Sequence, residues 1–145
     1  MEWCVIVITP DALRRRMEDR IITDVTEATR SQVVRRRRSL VREDTVRFLY
    51  PKLVMRGYFP AIVRNFVAGD SEVVLFEGPP GLNATVNEIK GKFRLDETGR
   101  LQVSGLRLAY GASIESGDGH DGVFEFRFHT SDDHSEAEAL VSALL

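Results

Sequence analysis

His129 is the residue whose type and position could do chemistry in this chain. The run Val123-Phe124-Glu125-Phe126-Arg127-Phe128 before it alternates apolar and polar residues, the period of a half-buried strand. Thr130-Ser131-Asp132-Asp133 follows it, and Ser135 to Leu140 reads as helix. An imidazole on such a junction is held by a sheet edge and lies beside backbone N–H groups that favour anions. It could accept or donate a phosphoryl group there. Taken alone, it reads more simply as a surface histidine beside a helix cap.

The elements that must position it follow from patterning. Trp3 to Thr9 is a continuous β-branched run, as expected of a central strand buried on both faces. Pro10-Asp11 stops it, with a proline suited to a first helical turn and an aspartate suited to the positive end of the helix dipole. Leu13, Met17, Ile21 and Val25 then recur every four positions and predict one amphipathic helix from Ala12 to about Thr29. A second strand is predicted over Ser31 to Val41, two helices over Glu43 to Tyr50 and Tyr58 to Val67, and a third strand over Glu72 to Phe76. Pro79-Pro80-Gly81 breaks the chain before a short helix from Asn83 to Lys90. Thr98-Gly99 could turn a small hairpin, and Ser116 to Gly122 reads as a surface loop. This order predicts an α+β sandwich of the split-βαβ, ferredoxin-like kind, a sheet flanked by helices, in a single domain over residues 1–145.

Bulk properties exclude several function classes. A formal net charge of -2 is not that of a polycation built for nucleic acid. The lone cysteine, Cys4, has no internal partner for a disulfide and lies in an apolar run that predicts burial. No apolar stretch is long enough to span a membrane, and the strand beginning at Trp3 leaves no room for a signal peptide; a cytoplasmic address is the expectation. Neither His129, Asp132, Asp133 and His134 nor Asp118, His120 and Asp121 match a recognised ligand spacing, so no protein-held metal is expected. Arg35-Arg36-Arg37-Arg38 is the densest charge run. On a strand it places charge on both faces, which points to an edge strand, a subunit contact to acidic residues or a polyanion site. Without interleaved aromatics, nucleic-acid binding is not the expected use.

Five segments, in order, resemble one family. Ile6-Val7-Ile8-Thr9-Pro10-Asp11 is similar to the opening strand and helix of nucleoside diphosphate kinases, normally apolar residues followed by Lys-Pro-Asp. Tyr50 to Phe59 and Ala61 to Gly69 resemble their nucleotide-clamping helices, and Val73 to Gly78 the following core strand. Leu106-Arg107-Leu108-Ala109-Tyr110-Gly111 resembles the segment carrying a phosphate-binding arginine. Phe128-His129-Thr130-Ser131-Asp132 resembles the signature around the phosphorylated histidine.

The resemblance implies ping-pong transfer of a terminal phosphate from a nucleoside triphosphate, through His129, to a nucleoside diphosphate. It implies that Ser131 orients the network near the histidine, that Arg107 neutralises phosphates, and that Tyr50 lies near the ring. Tyr58 would stack on the base and Ile62 would line the other side of its slot, although their spacing suits one core-facing helix face equally well. Asp132 falls on the signature aspartate and could cap the following helix. Magnesium would enter with the nucleotide, and self-association into a homo-oligomer is expected. Departures stand beside these matches. Thr9 replaces the lysine after the first strand, and Lys90 is only a loose substitute for a second phosphate-binding arginine. Phe126 replaces an asparagine, and Leu140 falls where a glutamate would hold the histidine ring. The alternative on the same fold is a catalytically inactive nucleotide-binding or protein-interaction module.

Overall fold

The computed structural model describes residues 1–91, 93–95, 101–103, 105, 113–115, 123–125 and 127–145. Strand β1 (Glu2–Ile8) is the pivot of the fold. Cys4, Ile6 and Ile8 enter one core layer, whereas Val5 and Val7 enter the other, so its apolar run serves both faces. Two short helices follow where the sequence predicts one. α1 (Pro10–Arg14) ends, Arg16 takes a left-handed backbone (φ 56), and α2 (Glu18–Thr29) begins. The four-residue apolar spacing survives this break because a compact turn brings Met17 back onto the same layer as Ile21 and Val25.

Strand β2 (Gln32–Ser39), helices α3 (Glu43–Leu49) and α4 (Phe59–Val67), strand β3 (Ser71–Gly78) and helix α5 (Leu82–Lys90) then follow in the predicted order. Two hairpins come next. β4 (Phe93–Leu95) pairs with β5 (Leu101–Val103), and β6 (Ser113–Glu115) pairs with β7 (Val123–Glu125), both antiparallel. The single strand predicted over Val123 to Phe128 is therefore two. Its first half belongs to the second hairpin, and β8 (Phe128–Thr130) alone joins the main sheet. Helix α6 (His134–Leu144) closes the chain. Thr98-Gly99, Arg107, the Ser116 to Gly122 loop and Phe126 lie outside the described residues.

The main sheet has the order β2-β3-β1-β8 and is antiparallel throughout, the arrangement expected of a ferredoxin-like α+β fold. Residues of α1, α2 and α5 pack on one face around Phe76 and Phe128; α3, α4 and α6 pack on the other around Phe66, Ile62 and Leu140. Cys4 is buried as predicted, and desolvation pushes its thiol up to about 11, away from thiolate chemistry.

The N-terminus of α5 shows how distant residues fix this frame. Gly81 precedes the helix with φ 89 and offers no side chain to cap it. The Glu2 carboxylate supplies the missing acceptor, taking the N–H groups of Gly81 at 3.1 Å and Asn83 at 2.7 Å. These bonds, with Asn83 the largest influence, hold the carboxyl below its ordinary range.

Candidate active site

Register places His129. It pairs with Val7, whose side chain enters the α3/α4/α6 layer, so the imidazole projects onto that face. There the ring is 5 % exposed and both nitrogens are engaged. Nδ1 lies 2.9 Å from the Tyr50 hydroxyl, and Nε2 lies 3.0 Å from Glu136 Oε1. Tyr50 also meets the ring edge-on, with centroids 5.1 Å apart. An ionised carboxylate can only accept, so Nε2 carries the proton that points at Glu136. Nδ1 is then the lone-pair nitrogen, and the Tyr50 hydroxyl donates to it. Burial is the largest influence on the ring and lowers its pKa, outweighing the nearby carboxylate that favours the cation. The neutral imidazole required of a nitrogen nucleophile is thus the favoured form.

Glu136 corrects the sequence reading. Leu140, the position matched to a ring-holding glutamate, has no exposed surface and lies in the core. One turn earlier, Glu136 occupies the ring. Its placement follows from the start of α6: Asp133 Oδ1 accepts the Glu136 N–H at 2.8 Å, while Glu136 Oε2 accepts the Asp132 N–H at 2.7 Å. This is close to a capping box, and it aims the remaining oxygen at Nε2. The cap is therefore Asp133; Asp132 is exposed and contributes its backbone. The bonds from His129 and Asp132 outweigh desolvation and leave Glu136 with a lowered pKa.

Ser131 is committed to the frame. Its Oγ accepts the Val5 N–H at 3.0 Å and donates to Asn83 Oδ1, tying the end of β8 to β1 and α5. Ser131→Ala leaves a buried N–H and a buried amide oxygen short of these partners. A loss of ~1–3 kcal/mol in unfolding free energy is expected, measured by urea denaturation. Lys90 donates from Nζ to Thr130 Oγ1 at 2.8 Å, and Asn87 Oδ1 accepts from the same hydroxyl at 2.9 Å. Ile62 has no exposed surface and is core, one of the two uses its spacing left open; Tyr58 is half-buried against the same cluster.

Thr9 caps α1, its Oγ1 accepting from the Ala12 N–H at 3.5 Å and donating to the Arg127 carbonyl at 3.2 Å. The Thr9 N–H also donates to that carbonyl, which sets Arg127 across from Thr9. Arg127 stands immediately before β8, two residues ahead of His129. Its guanidinium pairs with Asp11, which also meets Arg14 at 3.3 Å and Arg15 at 3.1 Å. Three guanidiniums thus converge on one carboxylate. Sequence reasoning missed Arg127, whose only signal was its place two residues before the histidine.

A groove of about 370 Å³ opens behind the site, lined by Phe48, Leu49 and Pro51 on one side and by Asp132, Asp133, Ser135, Glu136 and Ala139 on the other. Among the described residues no group of three or more His, Cys, Asp or Glu could hold a metal ion, and no helix is long and apolar enough to cross a membrane.

The sheet order and the two helical layers define a ferredoxin-like α+β protein, with a histidine buried between a tyrosine and a glutamate. The nucleoside diphosphate kinase family model matches residues 2–145, and the chain belongs to that family. Similar folds are seen in the nucleoside diphosphate kinase of Encephalitozoon cuniculi, at 20 % identity and TM-score 0.71 over 98 % of this chain and 87 % of that one. The Pyrobaculum aerophilum NDP kinase aligns at 17 % identity and TM-score 0.72 over 97 % and 93 %. The halophilic enzyme of Halobacterium salinarum, determined in complex with CDP, aligns at 17 % identity and TM-score 0.70 over 99 % and 91 %. No curated protein sequence matches the chain.

Proposed function

We infer that this protein transfers a phosphoryl group from a nucleoside triphosphate through a phosphohistidine at His129. The observation that carries this reading is the buried, neutral imidazole, with Nε2 held by Glu136 and Nδ1 turned to Tyr50. The Nδ1 lone pair attacks the terminal phosphorus, the bond from that phosphorus to the bridging oxygen breaks, and the nucleoside diphosphate leaves. A terminal oxygen of a second diphosphate then attacks the phosphorus and the P–N bond breaks, restoring the ring. As Nδ1 becomes bonded, the Tyr50 hydroxyl transfers its hydrogen bond from the nitrogen to a phosphoryl oxygen. Glu136 stabilises the charge that the ring gains, much as a carboxylate supports an imidazolium elsewhere.

Charge on the transferring group falls to the cations of this chain. Arg127, whose carbonyl accepts from Thr9, offers a guanidinium close in sequence to His129 where position 9 has no cation, and a planar fork suits phosphate. Arg107 and Lys90 are the further candidates for the phosphates, Asp132 is another nucleotide-binding candidate, and Tyr58 is the candidate for the base. Ser131 supports the site by fixing the end of β8. Magnesium enters as part of the substrate, on phosphate oxygens and water. The partners are thus nucleoside di- and triphosphates, with association into a homo-oligomer of the family kind.

A second reading, a nucleotide-binding or protein-interaction module without turnover, is favoured by one observation. The ring is almost fully covered, and both its nitrogens are already bonded. Incubation with a γ-labelled triphosphate separates the two. Acid-labile, alkali-stable label on the folded protein supports transfer. Absence of label, with nucleotide still bound in a calorimetric titration, establishes the module instead.

A further inference from the structure

The groove behind the site has two unlike walls. One is apolar: Phe48 and Leu49 end α3, and Pro51 follows closely. Phe48 is 52 % exposed, which leaves much of an aromatic side chain in water. The other wall is acidic, with Asp132, Asp133 and Glu136 around the start of α6. Ser135 and Ala139 are small, lie one turn apart on that helix and keep the space between the walls open. No described residue that lines the groove is cationic. Two basic neighbours in sequence are engaged elsewhere. Arg47 meets Glu43 at 3.4 Å and lies over the Phe59 ring, while His134 bonds Glu138 at 2.7 Å and accepts the Trp3 N–H at 2.9 Å. Lys52, beside Pro51, is exposed and does not line the space. Asp132 and Asp133 are exposed and form no ion pair with a described residue. The N–H groups of Asp132 and Glu136 are already taken by Glu136 and Asp133, so this helix start offers little to an anion.

We propose that this groove docks a short basic segment of another protein, an arginine meeting Asp132 and Asp133 while an adjacent apolar side chain covers Phe48. Charge selects the sign of the occupant. Three carboxylates and no cation line the space, and complementary potentials steer a partner and fix its orientation. The phosphates of a nucleotide or a nucleic acid would meet like charge there. The apolar wall selects the source of the cation. A free small cation leaves Phe48 in water, whereas a segment with leucine beside its arginine removes that surface. A planar guanidinium also forks onto a carboxylate and lies well over an aromatic ring. At about 370 Å³ the groove is near the lower end of binding-pocket sizes, which suits side chains presented by a partner. Tyr50 and His129 do not line it, and it reaches the ring only through Glu136, on the Nε2 side. Docking therefore does not depend on phosphoryl transfer at Nδ1.

The test uses the full chain without nucleotide and a fluorescein-labelled peptide of alternating arginine and leucine, read by fluorescence anisotropy. A peptide of equal charge with serine in place of leucine serves as control. The leucine peptide is expected to bind about tenfold more tightly than the control. Phe48→Ser removes the apolar wall, and Ala139→Arg places the chain's own guanidinium in the space. Both positions are exposed, both variants are checked by circular dichroism, and each is expected to weaken binding about tenfold. Asp133→Asn keeps an oxygen to cap α6 while removing the charge, and is expected to weaken binding severalfold. Equal binding of the two peptides reduces the interaction to plain charge attraction and overturns the proposal. Full affinity in either Phe48→Ser or Ala139→Arg places the peptide elsewhere and overturns it. Displacement of the peptide by an equimolar amount of agmatine overturns it in favour of a small-cation site. A lower oligomeric state of Ala139→Arg, seen by light scattering without peptide, overturns it in favour of a self-contact.

Discussion

Alanine at position 129 is expected to bring phosphoryl labelling from a γ-labelled triphosphate to background, and Glu136→Ala to slow it about ten- to hundredfold. The first effect is complete because no other described side chain combines a nitrogen lone pair with this burial. The second is partial, since Nδ1 survives while the group that fixes the tautomer and stabilises the charged ring is lost; a charge-assisted hydrogen bond contributes ~1.5–3 kcal/mol. Glu136→Gln should fall between Glu136→Ala and the unsubstituted protein, because its amide oxygen still accepts from Nε2 without the charge. Labelling that persists in His129→Ala moves the acceptor elsewhere and removes the mechanism. The pH dependence carries its own sign. With the folded pKa of His129 below its ordinary 6.5, the imidazole stays neutral as pH falls through that value, so the labelling rate holds level there and drops only lower. Stability moves differently. Between the unfolded and the lowered folded pKa the unfolded chain binds a proton that the native ring does not, so the His129 contribution is present above 6.5 and is lost as pH falls. Rate and stability measured on the same samples from neutral pH downward should therefore separate, with stability declining first.

What the sequence made legible was local. The β-branched run of β1, the period of α4 and the break at Pro79-Pro80-Gly81 are written in neighbouring residues, and the fold class follows from their order. The register that brings Tyr50 to His129 is not local: the resemblance supplied it, because nothing in the spacing of residues 50 and 129 forecasts a contact. Three features escaped for physical reasons. The break at Arg16 preserves hydrophobic period while changing the backbone, so periodicity cannot see it. Val123 to Phe128 alternates throughout, yet alternation does not say which sheet each half joins. Glu136 was missed because the ring-holding carboxylate was sought by position along α6. A helix that starts on Asp133 turns its first-turn glutamate back toward the end of β8, and only the cap geometry reveals this.

Leu140→Glu puts that correction to its hardest trial. Leu140 has no exposed surface and packs with Ala137 and Leu144 in the layer beneath α3 and α4. A glutamate there loses the apolar burial of leucine and places a charge in the core one turn from Glu136, with like charges at i and i+4. The combined cost is about 5 kcal/mol or more, which is comparable to the whole stability of a domain of this size. The variant is expected to be largely unfolded at neutral pH by circular dichroism, and to regain structure as acid neutralises the new carboxyl, until loss of the Glu136 and Glu2 contributions intervenes. The opposite result has a definite meaning. If Leu140→Glu folds with near-native stability, α6 can rotate to offer position 140 to the ring. The double variant Glu136→Ala/Leu140→Glu would then label faster than Glu136→Ala alone. Failure of that rescue, together with loss of the fold in the single variant, leaves Glu136 as the residue that holds His129.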